Sequence, residues 1–536
     1  MFLTKMNQYY VQVTHSIKPN VLEIQDYLLD GKIVPWNGPF SKVYSPIKSE
    51  PTGESLYEYL GSYPDMDEAA ALEALNAACK AYDRGRGLWP TMAVEERIAA
   101  VEKFAKLATA QREQIVQLLM WEIGKSRTDA EKEFDRTIEY IYLTVDELKN
   151  LERTQSRFVI EKGIIGQIRR TPLGVVLVMG PYNYPFNETY TLVIPALIMG
   201  NTVVMKPPRP GVLMHYYLQK AFQEAFPPGV INYVYGKGSV VVPPLMQSGR
   251  VNVLAMIGTS RVADSLKKMH PKSNRLKSIL GLDAKNPAII LPDADISAAA
   301  SECITGAFSF NGQRCTAIKI IFVHRSLAEA FLKEFSAKAD ALKVGLPWED
   351  KVNITPLADE NKPKYLQEIV EDALQKGASI QNAHGGIRRD PFYSPTVLYP
   401  VNDSMRIYHE EQFGPVVPVV PYNDIEEIFD YLENSKYGQQ VSIFGNSPVQ
   451  IGHLTDQLVN MVSRVNINSQ CQRGPDILPF TGRKDSAEGT LSVYDALRSF
   501  SIRSVVAAKM EENSKTLLRE IVNQGHSNFI STRYVF

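Results

Sequence analysis

One cysteine lies in a sequence context that favours nucleophilic chemistry. Cys315 closes the segment Gly312-Gln313-Arg314-Cys315, in which the glycine lets the backbone approach another element closely. Arg314 places a fixed positive charge beside the sulfur, which favours a thiolate nucleophile. A lone cysteine is more often a small buried hydrophobe, so the segment is only suggestive by itself.

A second candidate element is a loop far upstream. Residues 174–179 are an apolar run bounded by Gly and Pro, which is typical of a buried strand, and Asn183 follows it. Open α/β sheets bind ligands at the carboxyl ends of their strands, and a side-chain amide there can donate to a developing oxyanion. Cys315 and Asn183 together therefore predict thiolate attack on a carbonyl group.

Several short motifs occur in one order along most of the chain. They are Asn183-Tyr184-Pro185, Lys206-Pro207-Pro208, Gly312-Gln313-Arg314-Cys315, Glu411-Gln412-Phe413-Gly414-Pro415 and Pro479-Phe480-Thr481-Gly482 followed by Lys484-Asp485-Ser486. In this order and at these distances the chain, from about residue 30 to about residue 510, resembles the aldehyde dehydrogenase superfamily. The resemblance implies an α/β fold with a Rossmann-type parallel-sheet cofactor domain, an α/β catalytic domain and a β oligomerisation arm.

Composition excludes several function classes. The 536 residues suggest two or three domains, and 44% hydrophobic residues suffice for a sizeable core. With 58 basic and 59 acidic residues, the net charge of −1 gives no support for binding nucleic acid or a membrane. The four cysteines are widely separated, which indicates neither a disulfide framework nor a metal site and fits a cytoplasmic protein. The longest apolar tract, 190–205, is shorter than the ~20 residues that span a bilayer, and the N-terminus has no targeting pattern.

Hydrophobic periodicity predicts the elements that must position the candidate residues. A helix is expected after an Asp65 N-cap, with further helices over 95–120 and 126–148 and a hairpin over 157–172 centred on Gly163. Strands are predicted at 175–179, 202–205, 231–235 and 253–257, alternating with helices. This alternation is the pattern of a parallel sheet with helices on both faces. A last strand is predicted over 497–508.

The predicted domain boundaries follow from these elements and from the resemblance. Residues 1–60 are an extended lead-in with short strands, 61–156 and 174–284 form the dinucleotide-binding domain, and 285–490 form the catalytic domain. The resemblance implies that 157–173 and 491–509 form the oligomerisation arm of a homodimer or homotetramer. Residues 510–536 extend past the resemblance, and no function is assigned to them.

Residues at the ends of the predicted strands indicate a dinucleotide site. They are Lys206, Gly236, Gly238, Gly258 and Thr259. Members of the resembled family that prefer NAD often have a glutamate three residues after the lysine, where this chain has Arg209. A guanidinium should attract the extra phosphate of NADP, so NADP is predicted over NAD; the alternative is that Arg209 is a solvated surface charge. The resemblance implies that Glu411 and Phe413 hold the nicotinamide ribose and ring, although a loop carboxylate and a core aromatic are alternatives.

The sequence departs from the family where the general base is expected. The family's Glu-Leu-Gly-Gly-Lys run aligns with residues 281–285, which places Gly281 at the glutamate position. Asp283 is a nearby carboxylate, but two positions along a strand place it about 7 Å away on the same face, with a shorter side chain. Another carboxylate could activate water, the thioester could pass to a thiol such as coenzyme A, or turnover could be slow or absent.

Arginines indicate the class of substrate. Arg136, Arg314 and Arg473, with Tyr184, match positions that bind the substrate phosphate in the non-phosphorylating, NADP-dependent glyceraldehyde-3-phosphate dehydrogenases, the branch that the chain resembles most. Several guanidiniums that converge on one anion form a specific phosphate site, although each could instead be a surface salt-bridge partner.

Two functions from different classes remain. The first is NADP-dependent oxidation of a small anionic aldehyde, with glyceraldehyde 3-phosphate converted to 3-phosphoglycerate through a thioester on Cys315. An acylating enzyme that passes the acyl group to coenzyme A is a variant of this first hypothesis. The second is a family member that has lost turnover and serves as a binding or scaffold protein, which Gly281 favours.

Overall fold

The structure, a computed structural model, describes residues 18–48 and 57–533. Part of the predicted lead-in, residues 1–17 and 49–56, and the last three residues of the chain therefore lie outside the described residues. The lead-in that is described contains short strands, as predicted. Their bounds are Leu22–Glu23, Asp26–Leu29, Lys32–Pro35, Phe40–Lys48 and Tyr57–Pro64.

The first large sheet has six strands, five of them parallel. In spatial order they are Ile231–Tyr233, Thr202–Lys206, Val175–Met179, Val253–Ile257, Lys277–Gly281 and the antiparallel Ala487–Glu488. Most of their residues are apolar and buried because helices cover both faces of a parallel sheet. The four predicted strands are confirmed, and the strand expected at 231–235 ends at Tyr233.

The order of the strands creates a crevice in this sheet. The chain starts at Val175–Met179, adds two strands on one side, and returns to place Val253–Ile257 on the other side. Such a reversal separates the loops that follow the two strands and leaves a ligand site at their carboxyl ends. Asn183 lies after the first of these strands and Gly258 after the second.

The second large sheet has seven strands and supports Cys315. In spatial order they are Ser379–Ile380, Thr396–Tyr399, Val416–Tyr422, Ile318–His324, Asn286–Ile290, Gln440–Phe444 and Arg464–Ile467. All neighbouring pairs are parallel except the first. Cys315 lies between the helix Ile296–Phe308 and the central strand Ile318–His324, which fixes its position at the amino end of that strand.

A small antiparallel sheet forms the arm. It pairs Phe158–Glu161 with Ile164–Pro172 and the latter with Ser501–Lys509, and Gly163 turns the hairpin with a φ of 78°. The predicted hairpin is confirmed. The predicted strand over 497–508 is wrong at its start, because residues up to Ser499 belong to the helix Val493–Ser499, whose N-cap Ser492 accepts from the Asp495 N–H.

The helices differ from the prediction in three places. The first helix, Glu68–Tyr82, is capped by Asp67 rather than Asp65, since the Asp67 carboxylate accepts from the Ala70 N–H at 2.9 Å. The helix expected over 95–120 is two helices, and the one expected over 126–148 continues to Gln155. The remaining helices, in chain order after Glu68–Tyr82, are Leu88–Thr91, Val94–Thr109, Arg112–Ile123, Arg127–Gln155, Asn187–Ile198, Tyr216–Ala225, Gly238–Gln247, Ser260–Met269, Ile296–Phe308, Ala328–Asp340, Lys362–Gln375, Arg406–His409, Glu426–Asn434, Pro448–Leu458, Val493–Ser499 and Glu512–Gln524.

The C-terminal segment packs against the root of the arm. After the helix Glu512–Gln524, the Ser531 backbone forms two hydrogen bonds with the buried Gln167 side chain. Arg169 donates to the carbonyl groups of Asn528 and Phe529 at 3.1 Å. Within the described ranges, none of the helices has the length and apolar character needed to cross a bilayer.

Candidate active site

Cys315 lines a cavity of about 550 Å³ that is bordered by loops of both large sheets. Six of the residues that the sequence singled out line it together: Asn183, Gly258, Thr259, Cys315, Glu411 and Phe413. The cavity therefore lies between two parts of the fold. One is the crevice at the strand reversal of the first sheet, and the other is the amino end of the central strand of the second sheet. This volume is in the range of small-molecule sites in proteins.

The backbone before the nucleophile has an unusual conformation. Phe310, Asn311 and Gly312 all have positive φ angles, of 48°, 58° and 67°. A Cβ on Gly312 would lie 2.7 Å from the carbonyl oxygens of Ala307 and Gly414, which is too close for any side chain. The close approach expected at Gly312 is thus confirmed, and it brings the Cys315 loop against the segment that carries Glu411 and Phe413.

Asn183 is fixed on both sides. Its Nδ2 donates to the Gln313 carbonyl oxygen at 2.8 Å, which leaves the second amide hydrogen for an oxyanion. The backbone carbonyl oxygen of Asn183 accepts from Lys125 Nζ at 2.8 Å, and the buried Lys125 ammonium is ion-paired with Glu133. The Glu133 carboxylate also accepts from the Phe186 backbone N–H at 3.0 Å, so it holds the loop that carries Asn183.

Burial and, after it, the Glu188 carboxylate raise the pKa of the Cys315 thiol, whereas Lys319 and Arg473 lower it, and together these effects place the pKa at about 11. We therefore expect the thiol to be protonated in the unliganded chain. Arg314 contributes differently from the expectation: its Nη2 donates to the carbonyl groups of Gly306 at 2.8 Å and Thr305 at 3.3 Å, at the end of a helix. The guanidinium therefore caps a helix in this structure.

Lys319 is a site residue that sequence reasoning missed. It is 1% exposed, its Nζ donates to the Cys315 carbonyl oxygen at 2.8 Å, and it lies 2.6 Å from Glu411 Oε1. Burial raises the pKa of Glu411, and the Lys319 ammonium lowers it. The Phe413 ring lies 5.6 Å from the same ammonium. The available signal was a single lysine among the apolar residues of the strand Ile318–His324, which ends in a histidine.

The cofactor candidates lie on neighbouring strand ends. Lys206 ends its strand, and burial, assisted by the Arg209 charge, lowers its pKa to about 8. A Cβ on Gly238 would lie 4.0 Å from Lys206 Cε, and Gly236 turns the chain before the helix that starts at Gly238, with a φ of 101°. Arg209 lines a second cavity of about 450 Å³, which shares Tyr182 with the cavity around Cys315.

The segment after Gly281 differs from the extended strand assumed in the sequence argument. The strand Lys277–Gly281 ends at Gly281, and the Asp283 side chain contacts Ser260. Its Oδ2 accepts from the Ser260 N–H at 2.8 Å and from the Ser260 hydroxyl at 2.9 Å. Asp283 still borders the cavity, but its carboxylate stabilises the start of the helix Ser260–Met269.

Two of the predicted substrate arginines are joined by carboxylates. Arg136 binds Asp476 through two hydrogen bonds of 2.6 and 2.9 Å. Arg473 is 5% exposed, lies 3.5 Å from Asp476 Oδ1 and is ion-paired with Glu188. Its Nη2 has no hydrogen-bond partner among the residues that the structure describes. The fourth candidate, Tyr184, holds Lys125 Nζ 3.6 Å from the centre of its ring.

Glu188 was not identified from the sequence. It lies in the first turn of Asn187–Ile198, is 5% exposed and lines the cavity together with Cys315. It is the only charged residue of a helix that is buried along its whole length. An isolated carboxylate in an apolar helix was the signal that could have found it, because a buried charge requires a partner.

These features are those of a cysteine-dependent aldehyde-oxidising site on a Rossmann-type fold, and the comparisons agree. The aldehyde dehydrogenase family model matches residues 42–506. The chain belongs to this family of oxidoreductases.

Within this family, the chain is similar to several proteins of one named activity. The chain is 34% identical over 477 residues to the NADP-dependent glyceraldehyde-3-phosphate dehydrogenase of Streptococcus equinus, with 87% of this chain and 94% of the relative covered. It is 30% identical to the protein of that name from Pisum sativum, with 84% and 90% covered. The crystal structure of NADP-dependent glyceraldehyde-3-phosphate dehydrogenase from Bacillus halodurans C-125 complexed with NADP is similar, with a TM-score of 0.83, 32% identity, and 91% of this chain and 100% of that chain covered.

Proposed function

We propose that this chain catalyses NADP-dependent oxidation of a small anionic aldehyde, glyceraldehyde 3-phosphate being the first substrate to test. The observation that carries the proposal is the shared cavity in which Cys315 and Asn183 meet Glu411 and Phe413. A nucleophile, an oxyanion donor and the residues expected to hold nicotinamide are together there. Each is needed for the reaction, and none suffices alone.

The chemistry starts at the Cys315 sulfur. Its thiolate adds to the aldehyde carbon, and the oxyanion accepts from the free Asn183 amide hydrogen and from the Cys315 backbone N–H. Glu411 and Phe413 would hold the nicotinamide of NADP, which would supply the acceptor for the hydride that leaves this carbon. The product of that step is a thioester on Cys315, which the chain must then cleave. The raised pKa of the thiol means that substrate or cofactor binding has to favour the thiolate.

Cofactor choice rests on charge at one end of the crevice. Lys206 ends the strand Thr202–Lys206, and Arg209 lies three residues later and lines the cavity adjoining that of Cys315. Two cations suit the additional phosphate of NADP better than the neutral ribose hydroxyl of NAD. The relatives described above are named as NADP-dependent, which supports the same choice.

The substrate's anionic group is assigned to Arg473, with Arg136 supporting the site. Arg473 Nη2 is buried without a hydrogen-bond partner in the described part of the chain, so it can donate to an incoming anion. Arg136 is held by Asp476, which also lies next to Arg473. The relatives' names include glyceraldehyde 3-phosphate, a small aldehyde with an anionic group.

A second candidate acceptor for the acyl group is a thiol such as coenzyme A. It is favoured by Gly281, because the strand position from which family members activate water carries no carboxylate here. This candidate shares the acylation half of the reaction with the first. Only the fate of the thioester distinguishes the two.

We also propose that the chain assembles as a homodimer or homotetramer through the arm. The arm exposes a group of large apolar side chains, namely Val159, Ile160, Ile164, Ile502, Val505 and Val506. An exposed apolar sheet of this kind is typical of an interaction surface. Size-exclusion chromatography with light scattering would test it, and a monomer at micromolar concentration would contradict it.

The function is tested by steady-state NADPH formation with glyceraldehyde 3-phosphate in buffer without inorganic phosphate. We expect 3-phosphoglycerate as the product, detected by mass spectrometry, and a higher kcat/KM with NADP than with NAD. Absence of NADPH with this aldehyde and with other anionic aldehydes would overturn the proposal.

A further inference from the structure

Hydrolysis of the thioester requires a base that Gly281 does not supply. A base must lie within reach of a water next to the thioester carbonyl, so the candidates are the carboxylates that line the cavity around Cys315. These are Glu188, Asp283, Asp359, Glu410 and Glu411. Their hydrogen bonds and ion pairs distinguish them.

Two of these carboxylates, near the proposed cofactor site, already bind other groups of the protein. Asp283 accepts two hydrogen bonds from Ser260 at the start of a helix. Glu411 lies 2.6 Å from the Lys319 ammonium. The proposed function also requires Glu411 to hold the nicotinamide ribose, so each of these two carboxylates already has another role.

Two further carboxylates hold local structure at the cavity wall. Glu410 forms two hydrogen bonds with Arg406, of 2.8 and 3.1 Å. Asp359 accepts from the Asn361 N–H at 2.9 Å and borders both this cavity and the one that contains Arg209. Each is tied to its own turn or helix rather than directed at Cys315.

Glu188 differs from the other four in position and surroundings. It lies five residues after Asn183 in the sequence, so the oxyanion donor and this carboxylate leave the same strand end. The group paired with its carboxylate in the described residues is Arg473, which contacts Oε2. Among the charged groups of the described residues, Glu188 has the largest electrostatic effect on the Cys315 thiol.

We propose that Glu188 is the general base that activates water for deacylation, in place of the residue missing at Gly281. The Glu188 carboxylate removes one proton from water as the water oxygen bonds to the thioester carbon. The tetrahedral intermediate then breaks its C–S bond, which returns the Cys315 thiolate and forms the carboxylic acid. The acid loses its proton to solvent, and Glu188 releases the proton it took, so each cycle consumes one water and returns both groups to their starting states.

Arg473 is the positioning residue in this scheme. Its ion pair holds the Glu188 carboxylate in place and supplies the partner that a buried charge requires. An anionic substrate end that accepts from Arg473 shares the guanidinium and frees the Glu188 carboxylate to bind a water, which couples hydrolysis to an anionic substrate.

The inference rests on the proposed function, and stopped-flow NADPH formation separates the two. In Glu188→Gln we expect a burst that still reaches about one NADPH per site, because acylation does not use the base. Turnover after the burst should fall by about 10²- to 10⁴-fold. Coenzyme A should then restore turnover, since a thiol can take the acyl group without an activated water. Glu188→Asp, which keeps the charge, should retain more turnover than Glu188→Gln.

A second substitution distinguishes a catalytic role of Glu188 from a structural one, because it restores a carboxylate at another position of the cavity. At Gly281 the backbone is not left-handed, and a Cβ would approach Ile257 Cγ1 at 3.3 Å and Leu491 Cδ1 at 3.6 Å, so the first side-chain atom needs only small shifts of its neighbours. Adding Gly281→Glu to Glu188→Gln should raise water-dependent turnover at least tenfold. Asp283→Asn is the matched control and should keep turnover after the burst.

Three results would overturn the inference: wild-type turnover after the burst in Glu188→Gln, loss of that turnover in Asp283→Asn with Glu188→Gln unaffected, or loss of the burst itself in Glu188→Gln with a normal burst in the wild type. Absence of a burst in the wild type would instead reject the proposed function.

Discussion

The two sides of Cys315 are built differently. On the proposed cofactor side, Lys206 ends a strand, Arg209 lines a cavity, and neither is ion-paired with a carboxylate among the residues that the structure describes. On the proposed substrate side, Arg136 and Arg473 are already paired with Asp476 and Glu188. We therefore expect the cofactor side to take up a strongly charged ligand directly, and the substrate side to exchange internal ion pairs for contacts with its ligand.

The largest predicted effect tests the residue that both sides share. Cys315→Ala should lower kcat by roughly 10⁴-fold or more, because no other group can form the thioester. NADP binding, followed by fluorescence quenching, should persist. Cys79→Ser is the control, since Cys79 is also half-buried but lies on the outer helix Glu68–Tyr82, and wild-type turnover is expected. Turnover by Cys315→Ala would contradict covalent catalysis at this position.

A change on the cofactor side should alter cofactor choice alone. Arg209→Gln should reduce the ratio of kcat/KM for NADP to that for NAD by about 10- to 100-fold, the value of one or two charge-assisted hydrogen bonds. The KM for the aldehyde should stay constant. Arg261→Gln, at an exposed position farther along the same crevice, is a matched removal of charge, and an equal loss of NADP preference there would show that bulk charge decides.

A change on the substrate side should depend on the charge of the substrate. Arg136 is one-third exposed, so Arg136→Gln should lower kcat/KM for glyceraldehyde 3-phosphate by about tenfold and change that for neutral glyceraldehyde less than about threefold. Arg112→Gln removes another paired arginine, bound to Asp135 on the surface, and should affect neither aldehyde. Equal losses for both aldehydes would assign Arg136 a structural role.

The smallest expected effect concerns the protonation of the thiol. Because burial raises the pKa of Cys315 to about 11, the thiol form dominates below that pH and the thiolate fraction rises about tenfold per pH unit. Alkylation of the unliganded enzyme by iodoacetamide should therefore speed up tenfold per unit between pH 7 and 9. A rate that is already constant above pH 7 would show that the thiol is activated without ligands.

Sequence reasoning located the cofactor side better than the substrate side, for a physical reason. Alternating apolar strands and helices predict the sheet and hence the loops that carry Asn183 and Gly258, because position in a parallel sheet follows from local pattern. The partners of a buried charge come from distant segments. Glu188 is joined to Arg473 and Lys319 to Glu411, and no local pattern gives those pairs.

The dependence of contacts on distant segments also explains two smaller differences between the predicted and the observed structure. Asp65 and Asp67 are both suitable N-caps by type, and only tertiary packing selects Asp67. Arg314 was expected beside the sulfur because it is adjacent in sequence, yet its side chain follows the helix end that the loop leaves. Neighbours along the chain do not define neighbours in space.

The most direct test of the account is the time course of NADPH formation by the wild-type enzyme, mixed rapidly with NADP and glyceraldehyde 3-phosphate in the absence and presence of coenzyme A. The account predicts a burst of about one NADPH per active site, then sustained turnover that needs no coenzyme A, with Glu188 activating the water. A burst that stalls until coenzyme A is added would contradict hydrolysis by this chain, and no NADPH at all would contradict its proposed function.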